Sequence, residues 1–187
     1  MRDGSATRQK IHQAALTLFA TRGVAETSVR DLAQAAGVAE GTLYRHYASK
    51  DDLVADLFAT NYAAFAARLA ALRDLDGVRA RLAAVAAEIF RFHDTEPALF
   101  RFLLLVQHQA LPHMAEGDGN PVSVLHGMIA EAAATGEITL ADPALGTALV
   151  LGLLLQPATA LVYGRLSGPL SPYAETVAAA CWRALNP

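Results

Sequence analysis

"SVRDLAQAAGVAEGTLYRHY", Ser28 to Tyr47, reads as two short helices that meet at a glycine. Val29, Leu32, Ala33 and Ala36 recur at helical spacing and make one buried stripe. Gly37 supplies the left-handed conformation a tight turn requires, and Val38 plugs the corner. The second helix returns Leu43 and Tyr47, one turn apart, to the same small core. Ala33 is small enough for the two helices to cross closely. Upstream, Ile11, Ala15, Leu18 and Phe19 form the apolar face of a third helix that stops at Gly23. The pattern is a helix-turn-helix with one supporting helix.

The outward face of the second helix carries the chemistry. Gly41 and Arg45 lie opposite Leu43 and Tyr47, bordered by Thr42 and Tyr44. Such a face lies in the major groove of DNA when a helix-turn-helix docks. Arg45 can fork onto a guanine edge or hold a phosphate, and Thr42 offers a methyl to thymine or a hydroxyl to phosphate. Tyr44 and His46 are phosphate donors on this reading; a half-buried staple for Tyr44 and a merely solvated His46 are the bland alternatives. Gly41 lets backbone and bases approach closely. Lys50, at the start of the next helix, adds a charge to free N–H groups and makes a phosphate clamp.

With these residues in place, "TRQKIHQAALTLFATRGVAETSVRDLAQAAGVAEGTLYRHYASKDDLVADLF", Thr7 to Phe58, resembles the N-terminal domain of the TetR family of bacterial transcriptional regulators. The "AGV" turn, "GTLYRHY" and "SKDDL" are the most specific parts of the match. The resemblance implies an all-α, nine-helix TetR-like architecture and a homodimer. It implies a helix-turn-helix DNA-binding domain over 1–48 and a helical ligand-binding and dimerisation domain over 49–187. By position, it places DNA contacts on Ser28, Arg30, Thr42, Tyr44, His46 and Lys50, with variable base-reading positions at Ala39, Glu40, Gly41 and Arg45. Glu40 departs from the neutral or basic residues usual there; it accepts from a cytosine amine or repels phosphate and tunes specificity.

Charge distribution agrees. Residues 1–50 hold seven Lys and Arg against four Asp and Glu, an excess of three positive charges in a chain whose total is −3. A basic end on an acidic body fits one surface that meets a polyanion. The excess is too small for an architectural protein that coats DNA without regard to sequence. The composition, 53% hydrophobic and rich in Ala and Leu, favours helices over a sheet.

Helix starts are legible downstream wherever a capping residue meets a proline: Thr95 with Pro97, Asn120-Pro121, Asp142-Pro143 and Ser171-Pro172. Ser28-x-x-Asp31 and Ser49-x-x-Asp52 fit a capping box, and Gly136 a helix stop. These signals predict helices near 7–21, 28–35, 39–47, 50–72, 78–93, 96–110, 121–135, 143–164 and 172–185.

The last two helices read as a dimer interface. Ala148, Gly152, Ala160 and Gly164 recur at multiples of four and leave a groove for close approach, while Pro157 is expected to kink the helix. Tyr173, Val177, Ala180, Cys181 and Ala184 form the matching stripe on the ninth helix. A small apolar or amphipathic ligand is expected among the fourth to eighth helices. Phe65, Phe90, Phe100, Phe102, Leu103 and Leu104 would supply apolar surface there; His93, Gln107, His108 and Gln156 would supply polar contacts.

Other classes fare worse. No His pair has the spacing that aligns two metal ligands on one helix turn, and no phosphate loop, nucleophile elbow or Cys-His pairing stands out. Neither an enzyme nor a bound metal or cofactor is expected. Cys181 is the only cysteine, and Arg2, Asp3, Arg8 and Lys10 interrupt any signal-peptide core, which fits the cytoplasm. Pro143 to Gly164 carries no charge and is long enough to cross a bilayer, but Gln156-Pro157 at its middle favours a buried helix or a subunit interface.

Overall fold

The computed structural model describes residues 3–110 and 119–187, with side chains described for residues 4–107 and 119–187. Among these residues there are nine α-helices and no strand. They are α1 (Asp3–Arg22), α2 (Val29–Ala36), α3 (Glu40–His46), α4 (Lys50–Ala70), α5 (Val78–Thr95), α6 (Pro97–Ala110), α7 (Pro121–Thr135), α8 (Pro143–Val162) and α9 (Ala174–Leu185). The chain forms two compact units, one of Met1–Asn61 with Ala98–Met114, the other of Tyr62–Pro97 with Ala115–Pro187.

In the first unit the small core gathers Ile11, Ala15 and Phe19 from α1, Leu32, Ala33 and Ala36 from α2, Leu43 from α3, and Leu53 and Leu57 from α4, all buried. Phe19 stacks on Phe102 of α6 with ring centroids 5.9 Å apart. Thr27 is a buried polar residue at this edge; its hydroxyl donates to the Gly23 carbonyl at 2.7 Å, so no orphan donor is enclosed.

The second unit is organised by local caps and by two carboxylates that reach across sequence. Asn120 and Asp142 cap α7 and α8 ahead of their prolines, accepting from the N–H groups of Val122 and of Ala144 and Leu145. Gly77 has no side chain with which to cap α5, and Glu137 does it instead, accepting from the Val78 N–H at 2.7 Å. Two expected capping residues do something else. Thr95 ends α5, its hydroxyl bonding back to the Arg91 carbonyl, and does not cap α6. Ser171 opens a 3-10 turn ahead of α9, and its N–H and hydroxyl both donate to Asp94, as does the Leu170 N–H.

Burial tends to raise the pKa of Asp94, but the hydrogen bonds from Ser171, His93 and Leu170 outweigh it and hold the carboxyl well below the usual range. A depressed folded value means stability that is present above the unfolded pKa near ~4 and is lost as pH falls toward the folded one. Asp94→Asn is therefore expected to cost roughly 1–2 kcal/mol at pH 7. In urea unfolding the gap to the parent protein should narrow steadily below about pH 4.

By length and composition α8 is able to cross a membrane. It continues through Pro157, whose missing N–H removes one intrahelical bond. Its inner side, Gly146, Thr147, Val150, Leu154 and Ala158, is buried in the unit.

Candidate nucleic-acid interface

The caps and the turn of the helix-turn-helix are built from groups within a few residues of one another. Ser28 and Asp31 form a reciprocal capping box on α2, with the Asp31 N–H 3.1 Å from the Ser28 hydroxyl and the Ser28 N–H 3.0 Å from the Asp31 carboxylate. The hydrogen bonds from Ser28 hold Asp31 below its ordinary pKa. Gly37 ends α2 at φ 67°, a left-handed geometry in which a side chain costs about 1–2 kcal/mol. Val38 then returns its N–H to the Ala33 carbonyl at 3.0 Å. Ser49 caps α4 by accepting from the Asp52 N–H at 3.0 Å.

Within α3 only Leu43 is fully buried, at 0% exposure. Ala39, Glu40, Gly41, Tyr44 and Arg45 are exposed, Tyr44 by 52%. A side chain added at Gly41 would meet nothing within 4 Å, so this edge of the helix is open. Arg30 on α2 is also exposed. The other contact candidates are tied internally. Thr42 is half-buried and accepts from Arg45 Nη2 at 3.0 Å, which leans the guanidinium along the helix. His46 is half-buried beside the Tyr47 ring. Lys50 donates to the carbonyls of Val24 at 2.8 Å and Thr27 at 3.0 Å, and so pins the α1–α2 loop to the start of α4.

Glu40 acquires a physical reason here. Ala39 occupies the N-cap of α3 and makes no side-chain cap bond. Glu40 supplies negative charge in the first turn, where the free N–H groups favour it.

Sequence reasoning placed Tyr47 in the core and missed what its hydroxyl does. Tyr47 is 6% exposed and donates to Asp56 Oδ2 at 2.7 Å, while Arg8 Nε donates to the phenol oxygen at 3.1 Å and His12 Nε2 lies 2.6 Å from it. Hydrogen bonds from Arg8, joined by those from Tyr47 and His12, hold Asp56 down to about 2 against the effect of burial. Burial, reinforced by Asp56, pushes Tyr47 up to about 12.

The residues expected to pair two copies lie at different depths. Ala148 and Gly152 are exposed on α8, together with Leu145 at 48% and Leu149 at 41%, and Ala160 is half-buried. Gly164 lies beyond the end of α8 at φ 66°; its place is to stop the helix, with the Arg165 N–H returning to the Ala160 carbonyl at 2.8 Å. On α9, Tyr173 is exposed and Val177, Ala180 and Ala184 are half-buried. Cys181 is 1% exposed and turns into its own unit's core, where burial pushes the thiol up to about 11.

The ligand candidates divide between the two units. In the first, Phe100, Phe102 and Leu103 are buried, and Leu104 and Gln107 half-buried. In the second, Phe90 is fully buried, Gln156 is exposed, and His93 bonds Asp94 through Nδ1 at 2.9 Å. Phe65 stacks on Phe92 at 4.8 Å, with the Arg68 guanidinium over both rings. The His108 side chain lies outside the described residues. Among the described residues no group of three His, Cys, Asp or Glu is placed to hold a metal ion.

Residues 11–57 match the model of a family described as bacterial regulatory proteins, tetR family. The HTH-type transcriptional repressor KstR2 of Rhodococcus jostii is 45% identical over 53 residues, 28% of this chain and 26% of that one. The HTH-type transcriptional regulator AcrR of Shigella flexneri is 44% identical over 52 residues, 28% of this chain and 24% of that one. The chain thus aligns with only about a quarter of the length of these curated relatives. Over nearly the whole chain the fold is shared with Bacillus subtilis FadR in complex with stearoyl-CoA, at TM-score 0.79 and 21% identity, covering 95% of this chain and 99% of that one. PfmR of Thermus thermophilus follows at TM-score 0.74 and 21% identity, covering 95% and 99%.

Proposed function

We propose that this chain, whose residues 11–57 match the tetR family of bacterial regulatory proteins, is a ligand-responsive, sequence-specific DNA-binding transcriptional regulator. It represses by occupying a near-palindromic operator as a homodimer and leaves when a small apolar or amphipathic molecule binds the helices beyond α3. The observation that carries this reading is the division of α3: Leu43 locked at 0% exposure on one side, Glu40, Gly41, Tyr44 and Arg45 open on the other. A helix held from behind and bare in front is what major-groove docking needs. Arg45, leaned on Thr42, is the base reader; Tyr44, His46, Ser28 and Arg30 supply phosphate contacts around it. Lys50 donates to two carbonyls, which leaves one ammonium N–H for a phosphate.

One short helix reads too few bases for a unique site, so a second copy is needed about 34–36 Å along the duplex. The open side of α8, with Leu145, Ala148, Leu149 and Gly152, and of α9, with Val177, Ala180 and Ala184, is the surface for that copy. The inner side of α8 packs against α7 and α9, and its open side is the surface for the second copy rather than for lipid. The protein then works in the cytoplasm, with its DNA.

Release follows from linkage: a ligand that favours a spacing of the two reading helices unlike that of the operator lowers DNA affinity, and DNA weakens the ligand equally. Stearoyl-CoA, bound by the Bacillus subtilis protein of the same fold, is the first compound to screen. The direct test selects bound sequences from random DNA at fixed salt. A recurrent near-palindrome supports the reading, and equal affinity for all sequences defeats it. Arg45→Ala should then cost about 1–3 kcal/mol and relax preference at one base pair in each half-site; a uniform loss across all sequences would reassign Arg45 to phosphate.

A further inference from the structure

We propose that Asp56 is a positioning residue for DNA binding: its carboxylate ties α1 and the C-terminal end of α3 to α4 and so sets the direction in which the reading helix points. This rests on the DNA-binding reading above. Side chains of two helical segments converge on a carboxylate carried by a third, α4. From α1, Arg8 gives Nη2 to Oδ1 and Nε to Oδ2, the latter at 3.3 Å, and His12 Nε2 lies 2.9 Å from Oδ2. From the C-cap of α3, the Tyr47 hydroxyl donates to the same Oδ2 at 2.7 Å. His12 Nε2 faces this carboxylate and a phenol oxygen whose own proton is already given to it, so that nitrogen is the one bearing hydrogen.

The need for such a clasp follows from how little else orients α3. The helix has seven residues, and Leu43 is its one fully buried side chain. Apolar contact is non-directional, so it sets the depth of the helix better than its tilt. The turn at Gly37 anchors the N-terminal end; the Tyr47 hydroxyl is the directional anchor at the other. Hydrogen bonds to a charged acceptor are the stronger and more directional kind. The Asp56 side chain is 27% exposed, so solvent screens the pair only in part.

The test compares the full-length protein with Asp56→Asn, Tyr47→Phe and the double variant, using an operator fragment selected with the parent protein. Operator Kd is read at 20 °C, far below each measured Tm, so that any unfolded fraction is negligible. Asp56→Asn removes a negative charge from a DNA-binding unit, and electrostatics alone would tighten binding. The clasp instead predicts a loss of about tenfold for Asp56→Asn and a smaller loss for Tyr47→Phe. The double variant should be no worse than Asp56→Asn, because both changes delete the same bond. Affinity for random DNA should be unchanged or slightly higher. Unchanged or tighter operator binding by Asp56→Asn, with only Tm lowered, would overturn the proposal and leave Asp56 a stabilising residue. Full additivity of the two losses would overturn it too. If the parent protein selects no operator, it is the DNA-binding reading that falls, and this inference with it.

Discussion

Gly152→Arg is expected to convert the proposed dimer to monomers and to lower operator affinity roughly 10²–10⁴-fold, the gain that joining two reading heads confers. A side chain built at Gly152 would meet nothing within 4 Å inside the chain, so the variant costs the isolated fold almost nothing. A charge set into a close helix–helix contact, by contrast, is left desolvated without a partner. Gly146, on the inner side of the same helix, is the opposite case. There a Cβ would fall 2.9 Å from Leu185 Cδ2 and 3.2 Å from Ile129 Cγ2, and substitution would disturb the unit itself. Light scattering after size exclusion gives the assembly state, and fluorescence anisotropy at fixed salt gives the affinity. A Gly152→Arg protein that remains dimeric with parental operator affinity places the interface elsewhere.

What could be read from sequence follows from the range of the interactions involved. Asn120 and Asp142 cap the helices they precede because their acceptors and the N–H groups they serve lie two or three residues apart. The same reasoning misassigned Ser171, whose hydroxyl goes to Asp94, 77 residues away. It misassigned Thr95, which is the last residue of α5 and turns its hydroxyl back to the Arg91 carbonyl, with Glu96 between it and α6. Leu43 and Tyr47 were legible as core from their one-turn spacing. The hydroxyl of Tyr47 was not, since Arg8 and His12 lie 39 and 35 residues from it. Lys50 looked free because a lysine in sequence has no visible partner, whereas in the fold it closes a loop 23 to 26 residues upstream. Apart from Thr95, side chains that serve their own helix were readable; those that stitch helices together were not. The ligand candidates suffered most, because an aromatic at helical spacing reads alike in a core and in a pocket.

Leu43 and Tyr44 put the division of α3 to its sharpest test, because they are neighbours. One residue along a helix is about 100° of rotation, enough to turn a side chain from the core to solvent. Leu43 is 0% exposed and Tyr44 52%. Leu43→Ala removes the helix's only fully buried side chain and leaves a void in the first unit's core; an expected cost of about 2–5 kcal/mol follows. Tyr44→Ala opens no cavity, and its effect on stability should stay within about 0.5 kcal/mol. DNA binding should show a different split. Tyr44→Ala should lose operator affinity by about tenfold or more while fully folded, through loss of a phosphate contact repeated in both half-sites. Leu43→Ala should lose it in proportion to the unfolded fraction, and a stabilising osmolyte that restores folding should restore much of the binding. Urea unfolding and operator titration on the two variants, with and without sucrose, separate these cases. Parental affinity in Tyr44→Ala would mean that the exposed side of α3 is not the side that meets DNA.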